Sequence, residues 1–346
     1  MDIIDKYRNL NESFSKSCVF HIGIDAGFFS EFNYLIFAIL YCLENKIRLK
    51  LYSKDANFGY KNGWTDYFLP FTEEVSDNYH SFLNRHPTGF SIGKAIMSNN
   101  IGLLKWKLKN EGLIFGAELF KYFVRKNRFD YYTHDIMSNI GVKNREYNIE
   151  GFIRGDYISA YNLVFDLLWR FNDSVSVVMK KLIQSLSLPN DYIACQIRGG
   201  DKFIEYDLLS IDVYLSKIKE ISSLKDVFVL TDDYRIIEQL RSKAPDYNWY
   251  TLCGESERGY FNSTFSKIDS ELKKKQMISL FTSFDLLCRA SFFVGTVTAT
   301  PCNVVGIRKF PDTYWVDFKN DNFYDSIDYS IEYKNSLVKR NRNEFE

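Results

Sequence analysis

The chain has little that would tie it to a metal ion, a nucleic acid or a bilayer. Its four histidines, His21, His80, His86 and His134, show no ligand spacing. Its six cysteines, Cys18, Cys42, Cys195, Cys253, Cys288 and Cys302, include no CxxC pair and form no dense framework. Several stand inside apolar runs, where a free thiol behaves as a small hydrophobe, and this fits a reducing compartment. Charge of one sign is also lacking: 44 Lys and Arg balance 44 Asp and Glu, so no net field draws the molecule to nucleic acid. The longest apolar run, YLIFAILYCL at 34–43, is too short to span a bilayer and reads as a buried helix. The opening MDIIDKYRNLNESFSKS carries early acids and no apolar core, unlike a signal peptide. A soluble cytoplasmic protein is the expectation. No internal repeat or low-complexity segment interrupts the 346 residues.

What is present is an alternation of strands and helices. With 46% apolar and 17% aromatic residues the chain can bury a sizeable core, and its length suits two domains or one large α/β domain. SCVFHIGI (17–24) reads as a strand, 26–46 as a long apolar helix after a glycine, and IRLKLYS (47–53) as a second strand, the β-α-β order of a parallel sheet. NGWTDYFLPF (62–71) reads as a turn and an aromatic loop above that sheet. Between 77 and 150 basic and aromatic residues mix at roughly helical spacing. They are either amphipathic helices with solvated lysines or a surface that meets a membrane or a lipid-linked substrate. Residues 156–171 and 173–188 read as helices, with Asp173 able to cap the second. From 191 the pattern is regular: strands at 192–197, 226–233, 247–253 and 291–296, helices at 211–221, 234–244, 274–290 and 301–310, and a long polar loop at 254–271. This is the pattern of a doubly wound sheet.

In such a sheet ligands bind beyond the carboxyl ends of the strands. Three segments meet that requirement. In YIACQIRGGDKFIEYD (192–207) an apolar strand ends at Arg198, whose planar fork suits a phosphate, and Gly199 and Gly200 permit a sharp exit. The segment reads equally as a surface turn with an Arg–Asp pair. In LTDD one of the adjacent Asp232 and Asp233 could cap the next helix, and the other could bind a ribose or base or brace the arginine. In VGTVTATPCN (294–303) a strand ends at Gly295-Thr296 and a helix opens at Pro301, with Thr300 as its expected cap and N–H groups turned toward an anion. The alternative is a plain connection, since GxxxxGK[ST] and GxGxxG are absent. Taken together, a guanidinium, carboxylates and a helix start suit a nucleotide diphosphate. No DxD triplet is present to hold a divalent ion, so arginine and backbone N–H groups must meet that charge.

CQIRGGDKFIEYDLLSIDVYL resembles the His-Val-Arg-Arg-x-Asp-Lys motif of the α1,6-fucosyltransferases. NGWTDYFLPF resembles their Gly-Gly-Trp-Glu-x-x-Phe-x-Pro element, LLWRFNDSVSVVMKKL the helix before their arginine strand, VFVLTDD their Thr-Asp-Asp strand end, and ASFFVGTVTATPCNVV their Phe-x-x-x-Thr-Phe-Ser-Ser-x-x-Cys segment. The matches keep their order over roughly 17–310 and are densest from 156 on.

The resemblance implies a GT-B-like α/β fold, two Rossmann-like domains with a cleft between them. Residues 1–155 would face the acceptor, 156–190 connect, 191–320 bind the nucleotide sugar, and 321–346 form a polar tail. It further implies GDP-fucose as donor, no metal, and inverting transfer to a glycan or glycolipid hydroxyl. By the match, Arg198 binds the donor phosphates, and Lys202 and Glu205 are the catalytic pair, Glu205 as base. The competing reading of Lys202 and Glu205 is a surface ion pair three residues apart. Gln196, Gly199, Asp201, Asp232, Asp233, Asp285, Thr296, Thr298, Ala299 and Thr300 complete the expected donor site. The chain departs from the motif at several places. Gly199 replaces the second arginine, Gln196 the histidine that faces guanine, and Ala299 the phosphate-binding serine. The acid that reads guanine falls near Ser283, with Asp285 two residues on. These departures leave two rival readings, a glycosyltransferase for another nucleotide sugar and a non-catalytic nucleotide or sugar binder. Nucleic acid is not expected as a partner; peripheral membrane contact is compatible with 77–150.

Overall fold

The computed structural model describes residues 2–24, 26–86, 96, 101–123, 129–137, 139–140, 146–199, 209–260, 265, 268–297 and 299–318. The chain divides into two compact units, Met1–Asn172 and Asp173–Glu346.

The first unit opens with a helix absent from the sequence reading, Ile3–Glu12 (α1), whose first N–H is capped by the Asp2 carboxylate at 2.7 Å. Lys16–His21 (β1) follows, buried from Ser17 onward. The apolar run becomes Phe28–Glu44 (α2), buried on nearly every side as its composition requires. Ile47–Tyr52 (β2) pairs with β1 in parallel, Lys16 opposite Ile47 and His21 opposite Tyr52. The Asn11 side chain donates to Leu49 O at 2.9 Å and accepts from Leu49 N at 2.8 Å, so α1 satisfies backbone groups of β2 as a further strand would.

The segment expected as a loop above the sheet is instead core. Gly63–Asp66 forms a 3₁₀ turn, Trp64 is fully buried, and its ring stacks on Phe68 at 4.4 Å. The Asp66 carboxylate accepts the N–H groups of Tyr60, Lys61, Asn62 and Gly63 at 2.7–3.1 Å. Gly63 has φ +74°, and a Cβ there would meet Ser53 O at 1.9 Å, so only glycine fits.

Beyond it lie His80–Leu83 (α3), Ile101–Phe123 (α4), Tyr131–Tyr132 (β3) and Thr133–Met137 (α5). β3 completes a parallel sheet of order β2-β1-β3. Glu146–Ile149 (β4) and Ile153–Asp156 (β5) form an antiparallel hairpin that the sequence reading lacks. Tyr157–Leu168 (α6), capped by Asp156, packs on α2.

The second unit begins with Asp173–Leu186 (α7). Asp173 is the first helical residue rather than the residue before it. Ile193–Gln196 (β6), Ile211–Ile221 (α8), Asp226–Leu230 (β7), Tyr234–Lys243 (α9), Asn248–Tyr250 (β8), Ser270–Arg289 (α10), Phe292–Gly295 (β9) and Thr300–Lys309 (α11) follow close to the expected bounds. An added strand, Thr313–Trp315 (β10), closes one edge. All pairings are parallel, in the order β10-β9-β6-β7-β8. Ile193, Cys195, Val227, Val229 and Val294 form the heart of one core cluster, against Tyr214, Ile218, Ile237 and Leu240. β6, β7 and β9 are covered on both faces, so they read as continuous apolar runs. No helix among the described residues is long and apolar enough to cross a membrane.

Candidate functional site

The strand order of the second unit fixes where a ligand can enter. From β6 the chain runs outward through β7 and β8, then returns to the other side through β9 and β10. The connections leave β6 and β9 in opposite directions. This is a topological switch point, with its crevice at the carboxyl ends of these two strands. Arg198 follows β6 and Thr296 follows β9, so two of the three expected segments meet there; the third ends the adjacent β7.

Arg198 is held from two sides. Its Nη1 lies 3.5 Å from Asp232 Oδ2, and its guanidinium carbon stands 5.3 Å from the centre of the Tyr260 ring. The side chain is 24% exposed, so it meets solvent while its direction is constrained. Asp232 does more than pair. Its carboxylate accepts the Gly199 N–H at 2.7 Å and the Tyr260 N–H at 3.0 Å, and its carbonyl accepts the Gly259 N–H at 2.8 Å. One acid therefore ties the exit of β6, the exit of β7 and the loop after β8. Gly199, which stands where the family motif has a second arginine, is enclosed. A Cβ there would lie 3.0 Å from Asp233 Cβ and 3.4 Å from Asp232 Oδ1.

Asp233 takes the capping role. Its carboxylate accepts the Arg235 N–H at 3.0 Å at the start of α9 and pairs with the Arg235 side chain. That hydrogen-bonded guanidinium holds the Asp233 carboxyl below the usual carboxylate range. Asp232 and Asp233 thus divide the two roles that the sequence left open between them.

Across the crevice, Thr296 is buried and Val297 N donates to Asp317 Oδ1 at 2.8 Å. The cap of α11 is Ala299, with no side-chain hydrogen bond, and Thr300 is the first helical residue. The expected Thr300 cap is thereby corrected. Without a side-chain cap the helix start keeps its positive dipole end toward an anion, although Pro301 has no N–H to donate. Gln196 is buried, and its side-chain oxygen accepts from the Cys302 thiol at 2.7 Å, tying the end of β6 to α11. Burial pushes the Cys302 thiol up to about 12, and Cys253 likewise to about 12, so neither supplies a thiolate nucleophile.

Not every expected residue joins this group. Asp285 sits near the end of α10, paired with Arg289. β9 opens just after α10 ends, and Tyr192, immediately before β6, donates its hydroxyl to Leu286 O at 2.7 Å. Asp285 therefore lies toward the amino ends of the strands, away from Arg198, and Ser283 is buried in the same helix. Asp201, Lys202, Glu205 and Thr298 lie outside the described residues, as does the tail at 321–346. Tyr260 is the residue that sequence reasoning missed. Its only available signal was its place in the loop that leaves β8 at the carboxyl edge.

The first unit gathers ionisable groups of its own. His21 is buried, with Nδ1 2.7 Å from Asn84 O and Nε2 2.7 Å from Asp55 Oδ1. Burial works to raise the Asp55 carboxyl, but the hydrogen bond and charge of His21, joined by the Ser81 hydroxyl, together leave the carboxyl lowered. Glu118, His134 and Asp135 place ligand atoms within 4.8 Å of one another, although their sequence spacing announces no metal site. Lys121 Nζ lies 2.7 Å from both carboxylates, so an ammonium already serves them.

No protein-family profile matches the chain, and no curated protein matches it. Among solved structures it is similar to the fucosyltransferase NodZ from Bradyrhizobium, at 13% identity and a TM-score of 0.48 over 84% of this chain and 91% of that one. It is also similar to NodZ α-1,6-fucosyltransferase co-crystallized with GDP, with the same values. A third is POFUT1 in complex with GDP-fucose, at 12% identity and a TM-score of 0.47 over 87% of this chain and 97% of that one.

Proposed function

We propose that the chain is a glycosyltransferase that takes a nucleotide sugar, with GDP-fucose as the donor that its sequence motifs favour. The observation that carries this reading is the guanidinium of Arg198, held by Asp232 and Tyr260 at the carboxyl end of β6, the strand that pairs with β9, which leads into α11. Sugar transfer breaks a sugar–phosphate bond through a cation-like transition state, and negative charge grows on the departing diphosphate. Arg198 and the first turn of α11 would stabilise that charge, and preorganised groups of this kind do so without reorganisation at the moment of reaction. Asp232 keeps the guanidinium oriented, so less freedom is lost when the diphosphate arrives.

In this reading the acceptor hydroxyl attacks from the face opposite the leaving group and inverts the sugar carbon. Glu205 takes its proton, Lys202 holds that carboxylate charged, and no divalent ion is needed. The support for these two residues is their match to the family motif. Glu205→Gln should leave GDP affinity within about twofold while lowering turnover by roughly 100-fold or more, the scale of removing a general base. Unchanged turnover would move the base elsewhere.

The nucleotide is tested by a thermal-shift screen of purified full-length protein with GDP, UDP, CDP and ADP, because a ligand that binds the folded state alone raises its stability. GDP should give the largest shift. A larger shift with another diphosphate would favour a different donor sugar. Binding without transfer or hydrolysis of GDP-fucose would favour a non-catalytic binder.

A further inference from the structure

The helix α4 carries a surface that the nucleotide reading does not use. Ile101, Leu108, Phe115, Leu119 and Tyr122 are each between 41% and 70% exposed. At 100° per residue they fall within a sector of roughly 60° along a helix about 34 Å long. On the opposite face Asn110 and Ala117 are buried, while Trp106 beside them is partly exposed. A continuous apolar stripe along a whole helix is more than the scattered single hydrophobes that ordinary surfaces show.

Charge is distributed unequally beside the stripe. Lys105 and Lys109 are exposed along one rim, and no ion pair is described for either among the described residues. On the other rim the acids are met locally. Glu111 pairs with Lys107 at 2.7 Å, and Glu118 pairs with Lys121 at 2.7 Å and with His134 at 2.6 Å. The helix therefore presents apolar side chains with two lysines that its own acids do not neutralise.

We infer that this face docks on an anionic lipid surface, with the α4 stripe entering the headgroup boundary and Lys105 and Lys109 meeting lipid phosphates. The shape agrees. A single exposed ridge of one helix suits a yielding interface, and a basic rim beside an aromatic and aliphatic face is the arrangement of helices that lie in the membrane plane. The inference does not depend on the sugar-transfer reading, and neither stands or falls with the other.

The test is flotation of the full-length protein with phosphatidylcholine vesicles containing 30% phosphatidylserine, compared with phosphatidylcholine alone. The wild type should float with the anionic vesicles, less so with the neutral ones and less at high salt. Phe115→Glu with Leu119→Glu should lower partition by roughly 100-fold or more, the cost of withdrawing two apolar anchors. Lys105→Gln with Lys109→Gln should lower it by roughly 30-fold, at about fivefold per lysine near a charged surface. Both pairs are exposed, and unchanged circular dichroism and melting temperature would show that each variant is folded. Absence of flotation by the wild type overturns the inference, as does flotation of either variant equal to that of the wild type. A concentration-dependent dimer that dissociates in the Phe115→Glu variant would overturn it too, assigning the stripe to a second copy of the chain.

Discussion

At the scale of single residues, Asp232 organises the candidate site. A carboxylate that accepts two backbone N–H groups and faces a guanidinium is a positioning device, because each contact fixes a different segment: Gly199 after β6, Tyr260 after β8, and Arg198 itself. Tyr260 adds the face of its ring, and a cation over an aromatic face gains about 0.5–2 kcal/mol depending on solvent. Replacing Tyr260 by Ala keeps the backbone N–H to Asp232 but releases the guanidinium. Titration calorimetry should then show GDP affinity reduced by roughly 5- to 10-fold, the equivalent of the middle of that range. Tyr260→Phe should stay within about twofold. Equal loss in both variants would place the effect on the hydroxyl rather than the ring.

At the scale of elements, what was legible in the sequence follows from burial. β6, β7 and β9 are covered on both faces, so each is an apolar run with an abrupt polar end, and Arg198, Asp232 and Thr296 mark those ends. β10 and β3 are three and two residues long, too short to show a period. β4 and β5 depend on a turn at Gly151 with φ +74° that no pattern announces. The Trp64 segment looked like a loop because its aromatic residues follow a turn rather than a strand. What buries them is Asp66, which satisfies four N–H groups at once and lets the turn fold inward. Tyr260 was hidden in a polar loop whose course is set by tertiary hydrogen bonds alone.

The helix α3 supplies a pH test. His80 is fully buried among the rings of Tyr52, Tyr79, Phe129 and Tyr132. Burial lowers its pKa from 6.5 to about 4, helped by His21 nearby. Between these values the unfolded chain binds a proton that the folded chain refuses. The contribution of neutral His80 is therefore complete above pH 6.5 and is lost as pH falls toward 4. The loss is about 3 kcal/mol across the window. Urea melts of the wild type and His80→Phe at pH 7 and pH 4.5 should show the wild type losing more stability on acidification. A stability difference between the two that does not change with pH would contradict the assignment.

At the scale of the molecule, balanced charge means that ligand attraction is local. With 44 basic and 44 acidic residues, the field that a diphosphate would meet under the proposed function comes from the switch point itself. Three of the departures from the motif that the chain resembles, Gln196, Gly199 and Ala299, fall at the ends of β6 and β9 or just beyond them. Gly199 gives up one positive charge, and its neighbours Asp232 and Asp233 fill the space that a larger side chain would take. A single arginine, oriented by an acid and a tyrosine, is left with the main electrostatic task.

The most direct test is the thermal shift given by GDP in the wild type and in Arg198→Ala. At 100 times its dissociation constant a ligand stabilises the fold by about 2.7 kcal/mol, a rise of roughly 5 °C or more in melting temperature for units of this size. The wild type should show that rise, and Arg198→Ala, with its own melting temperature near the wild-type value, should lose most of it. No shift with any nucleoside diphosphate, or an equal GDP shift in the two proteins, would contradict the account.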